Sequence, residues 1–123
     1  MTCMRKTTHY TITHNIAAAL GQDTEMADAL QAVRYRAVAE IVSTFLNYTE
    51  KNDPGHQGLF AGMIIRILQP ESKVVDMSDL WRVINVIQEG DKAIKDEKKQ
   101  EREDWIAARK ADHRRLMAGL AEA

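Results

Sequence analysis

Five side chains in this sequence could bind a soft metal or serve as a nucleophile or general base: Cys3, His9, His14, His56 and His113. Their spacing argues against it. No His–x3–His pair falls on a helical stretch and there is no CxxC, so the zinc patterns are absent. Cys3 lies beside the terminus, away from any partner that would activate it. No Gly-rich phosphate loop, nucleophile elbow or kinase-like signature occurs, and carboxylate pairs such as Glu101 and Asp104 fall in charge runs where solvated groups are ordinary. The expectation is a protein that is not an enzyme and carries no metal or cofactor. An enzymatic reading would need a pocket that brings one of the histidines beside carboxylates.

Two other groups could recognise a macromolecule. Arg109, Lys110, His113, Arg114 and Arg115 form a locally basic cluster, with Arg109–His113 and Lys110–Arg114 one helical turn apart, a spacing that can track phosphates. Lys98 and Lys99 would support it, while Glu101, Glu103 and Asp104 just upstream oppose it. The second group is apolar. Trp105 follows ten polar residues, and tryptophan is enriched at the energetic centres of interfaces. With Ile106, Leu116 and Met117, and with Arg109 and His113 between them, it makes a candidate partner-binding surface.

The elements that would position these groups read as helices. "HNIAAALG" is a short helix with Thr13 as its cap and Gly21 as its left-handed stop, preceded by irregular residues 1–12 in which "HYTIT" has strand-like alternation. A second helix starts at Asp23 or Thr24 and runs to about Thr49, with Met26, Leu30, Val33, Ala37, Ile41 and Phe45 as its buried face and Tyr35 at its edge. The stretch "ITHNIAAALGQDTEMADAL" has Ala17, Gly21 and Leu30 near helix-turn-helix positions, but Asp23, Glu25 and Asp28 would face phosphate. Asp53-Pro54 opens a third helix that is apolar nearly all round from Leu59 to Leu68, central in character, with Gly58 and Gly62 fit for close approach and Pro70 as its stop. After the "ESKVV" connection, Asp76 or Ser78 caps the last helix, whose stripe is Leu80, Ile84, Ile87 and Ile94, with Trp81 in the core.

"DKAIKDEKKQEREDW" poses the main question. Between Asp91 and Arg115 nine Lys or Arg stand against seven Asp or Glu, with Asp91–Lys95, Lys92–Asp96 and Lys99–Glu103 at the (i, i+4) spacing that supports an exposed helix. An unbroken helix over 79–120 would be about 60 Å long, more than a compact domain of this size spans. It either breaks near Gly90 and folds back, or its far half projects. The plain reading is a solvated connector between two buried segments; the other is a dimerisation or partner arm. Asp91, Lys98 and Glu101 interrupt the heptad stripe, which argues against a long regular coiled coil.

The frame for all this is ordinary. The chain has 123 residues, 45% apolar and 28% charged, with a net charge of −1, so it suits one domain and has no global basic field. A lone cysteine, no secretory signal and no apolar run of membrane length point to a cytoplasmic protein. The expectation is an all-α single domain over residues 1–123, a bundle of four to five helices with a long charged C-terminal helix. Functionally it reads as a small regulator, adaptor or inhibitor that binds another protein, with homodimerisation open. The alternative is a nucleic-acid-binding regulator using Lys98, Lys99, Arg109, Lys110, Arg114 and Arg115.

Overall fold

The computed structural model describes residues 6–25, 28–71 and 74–122. Four helices account for the regular structure: α1 (His9–Ala19), α2 (Ala29–Leu46), α3 (Pro54–Leu68) and α4 (Met77–Glu122). No strand occurs among the described residues. Each helix packs on its neighbours in chain order, and α4 closes the ring by packing on α1. The short connections make neighbours antiparallel, as in an up-down bundle.

Thr8 starts α1, not Thr13. Its hydroxyl accepts from the Thr11 N–H, and the Thr11 hydroxyl accepts from the Thr8 N–H, so "HYTIT" is the first turns of a helix and not an extended piece. Burial of Ile12 and Ile16 outweighs the β-preference of the threonines and tyrosine. Thr13 is fully buried and donates its hydroxyl to the His9 carbonyl at 2.8 Å. Gly21 ends the helix at φ +80°, in the left-handed region where a Cβ is disfavoured.

In α2 the cap is Asp28, which accepts from the Gln31 N–H; Asp23 instead closes a turn onto the Glu25 N–H. The helix stops at Leu46. Its buried face is Tyr35, Val38, Ala39, Val42 and Phe45, whereas Leu30 and Val33 are 58% and 66% exposed. Met26 lies outside the described residues. The buried stripe is thus rotated from the expected one, and Tyr35 is core, its ring edge-on to His14 at 5.1 Å and its hydroxyl accepting from Gln31.

Asp53 and Pro54 open α3 as expected. Ala61, Ile64, Ile65 and Leu68 face the core, while Leu59 and Met63 are exposed, so α3 is amphipathic rather than central. Neither Gly58 nor Gly62 is at a close approach. That role belongs to Gly90, where a Cβ would lie 2.5 Å from Ile12 Cγ1 and 2.6 Å from Cδ1. Gly90 therefore lets α1 touch α4, and α4 passes through it without a break. Asp76 opens α4 by accepting from the Ser78 N–H; "ESKVV" lies partly outside the described residues. Trp81 is 56% exposed, against the expected core position.

Candidate interaction site

At 46 residues, α4 is about 69 Å long. Its first turns are built into the bundle through Val83, Ile84, Ile87 and Gly90. Two polar clamps then fix its direction. Asp91 receives Lys51 at 3.2 Å and Lys95 at 3.0 Å, and Lys51 also reaches the Leu46 carbonyl, so the α2–α3 turn is tied to α4. Burial alone would push the Asp91 carboxyl up, but the hydrogen bonds from Lys95 and Lys51 outweigh it and hold it below its ordinary value. One and a half turns on, Glu97 accepts from the Thr7 hydroxyl at 2.6 Å and from the Thr7 N–H at 2.9 Å. Those bonds hold Glu97 below its ordinary value and anchor the entry to α1. Lys6 adds an exposed pair to Glu101 at 3.0 Å.

Beyond this the helix has no support from the bundle. Every described residue from Lys98 to Glu122 is exposed, over about 37 Å of helix. We call this segment the arm. It carries Trp105 (62% exposed), Ile106, Leu116 (62%), Met117 and Leu120, and no residue among those described covers them. The connector with a buried far end is therefore not what this chain builds on its own; the helix neither breaks at Gly90 nor folds back. Arg109 lies over the Trp105 ring at 5.1 Å, and shallow grooves along the helix are lined by Trp105, Ile106, Arg109, Lys110, His113 and Arg114 on one flank and by Lys98, Glu101, Arg102 and Trp105 on the other.

The partner-surface residues Trp105, Ile106, Arg109, His113, Leu116 and Met117 share one side of the arm by the 3.6-residue period. The basic cluster stays together in part. Arg109, Lys110 and Arg114 line one groove with Trp105, while Arg115 turns toward the opposite side, where it meets Asp112 at 2.7 Å. Lys98 falls on the Trp105 side and Lys99 at its edge.

No family model, curated protein or solved structure matches this chain. The reading of the site rests on its own geometry.

Two histidines stand near carboxylates: His14 lines a cavity with Asp28, Tyr10 and Tyr35, and His56 meets Glu50 and Asp53. His56 Nδ1, shut off from solvent, lies 3.1 Å from Asp53 Oδ2 and 3.5 Å from Glu50 Oε2. These are close approaches to carboxylate oxygens rather than aligned hydrogen bonds, since Nδ1 has no partner on a hydrogen-bond line. The three groups come within 4.8 Å of one another. Asp53 Oδ1 is already occupied as the α3 cap, accepting from the Gly55 N–H at 2.9 Å, and the His56 ring packs edge-on against Tyr48 at 5.3 Å. The trio closes the α2–α3 turn. The sequence signal for it was the short Glu50–Asp53–His56 spacing around a predicted helix start.

Among the described residues no helix is long and apolar enough to cross a membrane.

Proposed function

We propose that this chain is a small interaction protein, a regulator, adaptor or inhibitor, in which the bundle is a base and the arm is the element that docks on another protein. The observation that carries the reading is the bare row of Trp105, Ile106, Leu116, Met117 and Leu120 on a helix fixed at its root by Gly90, Asp91 and Glu97. A helix that burial does not hold keeps such residues at a cost in solubility, and an apolar row of this kind is the usual means by which a helix enters a groove.

The test compares the wild type with Trp105→Ala and Leu116→Ala, capturing partners through a photo-crosslinker placed at Ala108. Loss of a saturable partner in both variants, with unchanged unfolding midpoints, supports the reading. Unchanged capture overturns it.

The nucleic-acid alternative draws on Lys98, Lys99, Arg109 and Lys110, which lie along one flank of the arm. Arg114 lines a groove with Arg109 and Lys110, but Arg115 faces the other way against Asp112, and apolar side chains occupy the same flank, which phosphates do not favour. Fluorescence anisotropy with duplex and single-stranded DNA at about 50 and 200 mM salt decides it, because phosphate contacts fade by orders of magnitude over that range.

A further inference from the structure

Projection of the arm down its axis at 3.6 residues per turn sorts its charges in a way the linear order hides. From Lys92 to Leu120, about a third of the circumference carries no carboxylate at all. Lys95, Lys98, Arg102 and Arg109 run along this stripe with Lys99 at its edge, and His113 continues it. Lys92 and Lys110 flank it. Trp105, Ile106, Leu116, Met117 and Leu120 stand on the same stripe between the cations. The six carboxylates, Asp96, Glu97, Glu101, Glu103, Asp104 and Asp112, all fall on the remaining surface, with Asp112 at its border beside Trp105.

This arrangement does not serve the helix itself. Segregation places like charges one turn apart, as in Lys95–Lys99, Lys98–Arg102 and Glu97–Glu101, and each such pair disfavours the helix. Of the opposite-charge pairs that could offset this, Asp91–Lys95 and Asp112–Arg115 close among the described residues, whereas Lys92–Asp96 and Lys99–Glu103 do not. A stripe of this kind is the complement of something acidic.

The stripe is also in line with the core. Ile87 and Trp105 are about five turns apart, and Leu80 and Leu116 about ten, so the apolar row in the arm continues the row that α4 buries in the bundle. A straight duplex or flat bilayer laid along that row meets the bundle at the arm's root. A helix pairing with the arm lies beyond the bundle's end and extends its packing.

We propose that the carboxylate-free stripe is the docking site for an acidic amphipathic helix of another protein, and that the cations along its centre prevent two copies of this chain from pairing there. The inference rests on the arm being the docking element. The partner helix carries Asp or Glu against Lys98, Arg102 and Arg109, and apolar residues against Trp105, Leu116 and Leu120. Two copies placed stripe to stripe would set cation against cation at the seam, which costs more than the apolar contacts return.

The experiment uses the full chain and labelled synthetic helices about three heptads long, with one leucine stripe and Glu, Gln or Lys at the seam positions. Each is made in both chain directions, because the stripe fixes sides and not direction. Binding is read by anisotropy and self-association by sedimentation velocity. The Glu helix, in at least one direction, binds about tenfold or more tighter than the Gln helix, and the preference shrinks as salt rises. Arg102→Glu with Arg109→Glu loses the Glu helix and gains the Lys helix. The wild type stays monomeric at the same concentrations. A Glu helix no tighter than the Gln helix, a double variant that keeps it, or stripe-mediated dimers would each overturn the proposal. So would binding to duplex DNA or to phosphatidylserine vesicles in place of the Glu helix. If the helices fail while Trp105→Ala still abolishes partner capture, the docking role of the arm stands and only the acidic-helix inference falls.

Discussion

Gly90→Ala is the sharpest test of how the bundle holds the root of the arm. On an open helix the change stabilises by about 1 kcal/mol, since alanine loses less backbone freedom than glycine. Here the new methyl would sit 2.5 Å from Ile12 Cγ1 and 2.6 Å from Cδ1, and Ile12 is fully buried. Isoleucine is stiff at χ1, so it has no vacant rotamer to take and α1 must move away from α4. Overpacking of this kind costs about 1–3 kcal/mol, with the upper end apt for a contact of two stiff groups. The net expectation is a loss of about 1–2 kcal/mol after the propensity gain is subtracted.

Urea unfolding followed by far-UV circular dichroism measures it, with Gly58→Ala as the control. Nothing lies within 4 Å of a Cβ at Gly58, so that variant should gain about 0.5–1 kcal/mol. Ile12→Ala completes a double-mutant cycle. Alone it costs about 2–5 kcal/mol, but in the Gly90→Ala background it removes both clashing atoms, Cγ1 and Cδ1, and should cost less. A Gly90→Ala protein as stable as the wild type, or additive behaviour in the cycle, would refute the close approach of α1 to α4.

Other expectations concern the core face, the clamps and the arm. Val38→Ala should cost about 1–3 kcal/mol and Val33→Ala less than about 0.5, because Val38 is fully buried and Val33 is 66% exposed; equal effects would mean that the α2 face is misplaced. Asp91 and Glu97 both have carboxyls held below their ordinary values of 3.8 and 4.5, so the folded state takes up protons later than the unfolded one. Their contribution is complete above about pH 4.5 and is lost as pH falls through the lowered values; Asp91→Asn with Glu97→Gln should flatten that acid limb in thermal melts at pH 5 to 3. A stop after Lys99 should leave the unfolding free energy within about 0.5 kcal/mol of the wild type, since every described residue of the arm is exposed and its Lys6–Glu101 pair is a surface one, while mean helicity falls. Trp105→Ala should likewise leave stability unchanged, its Arg109 contact being exposed.

Local chemistry was readable at some helix ends, though α1 and α2 start at Thr8 and Asp28 rather than at Thr13 and Asp23 or Thr24. The Asp53-Pro54 start, the Gly21 stop and the Asp76 start follow from side chains that satisfy helix-end backbone groups, and the structure places those groups as the residue types imply. What single-chain periodicity could not fix was the angle of each buried face. In α2 both Leu30–Val33–Ala37–Ile41 and Tyr35–Val38–Val42–Phe45 satisfy the three-to-four spacing, and only the positions of α1 and α3 choose between them. The same holds for Trp81, which shares a turn with Leu80 and Val83 but points off the buried side. Gly90 was legible as an interruption but not as a contact point, because its partner Ile12 is remote in sequence.

The arm shows a subtler limit. Read along the chain, Lys95 to Asp104 alternates in sign, and alternation suggests a helix decorated to favour water on every side. Once the helix is continuous, a period of 3.6 turns that alternation into rows: cations to one side of Trp105, and carboxylates, Glu101 and Asp112 the nearest of them, to the other. The Asp91 clamp marks where the rule changes. It is the last carboxylate on the stripe, and it is satisfied internally by Lys51 and Lys95. Past Lys95, none of the stripe cations Lys98, Lys99, Arg102 and Arg109 closes an ion pair among the described residues. The apolar groups among those cations lack any cover from the described residues of their own chain. Both deficits lie on one surface, and a single partner that brings carboxylates and apolar side chains together relieves both.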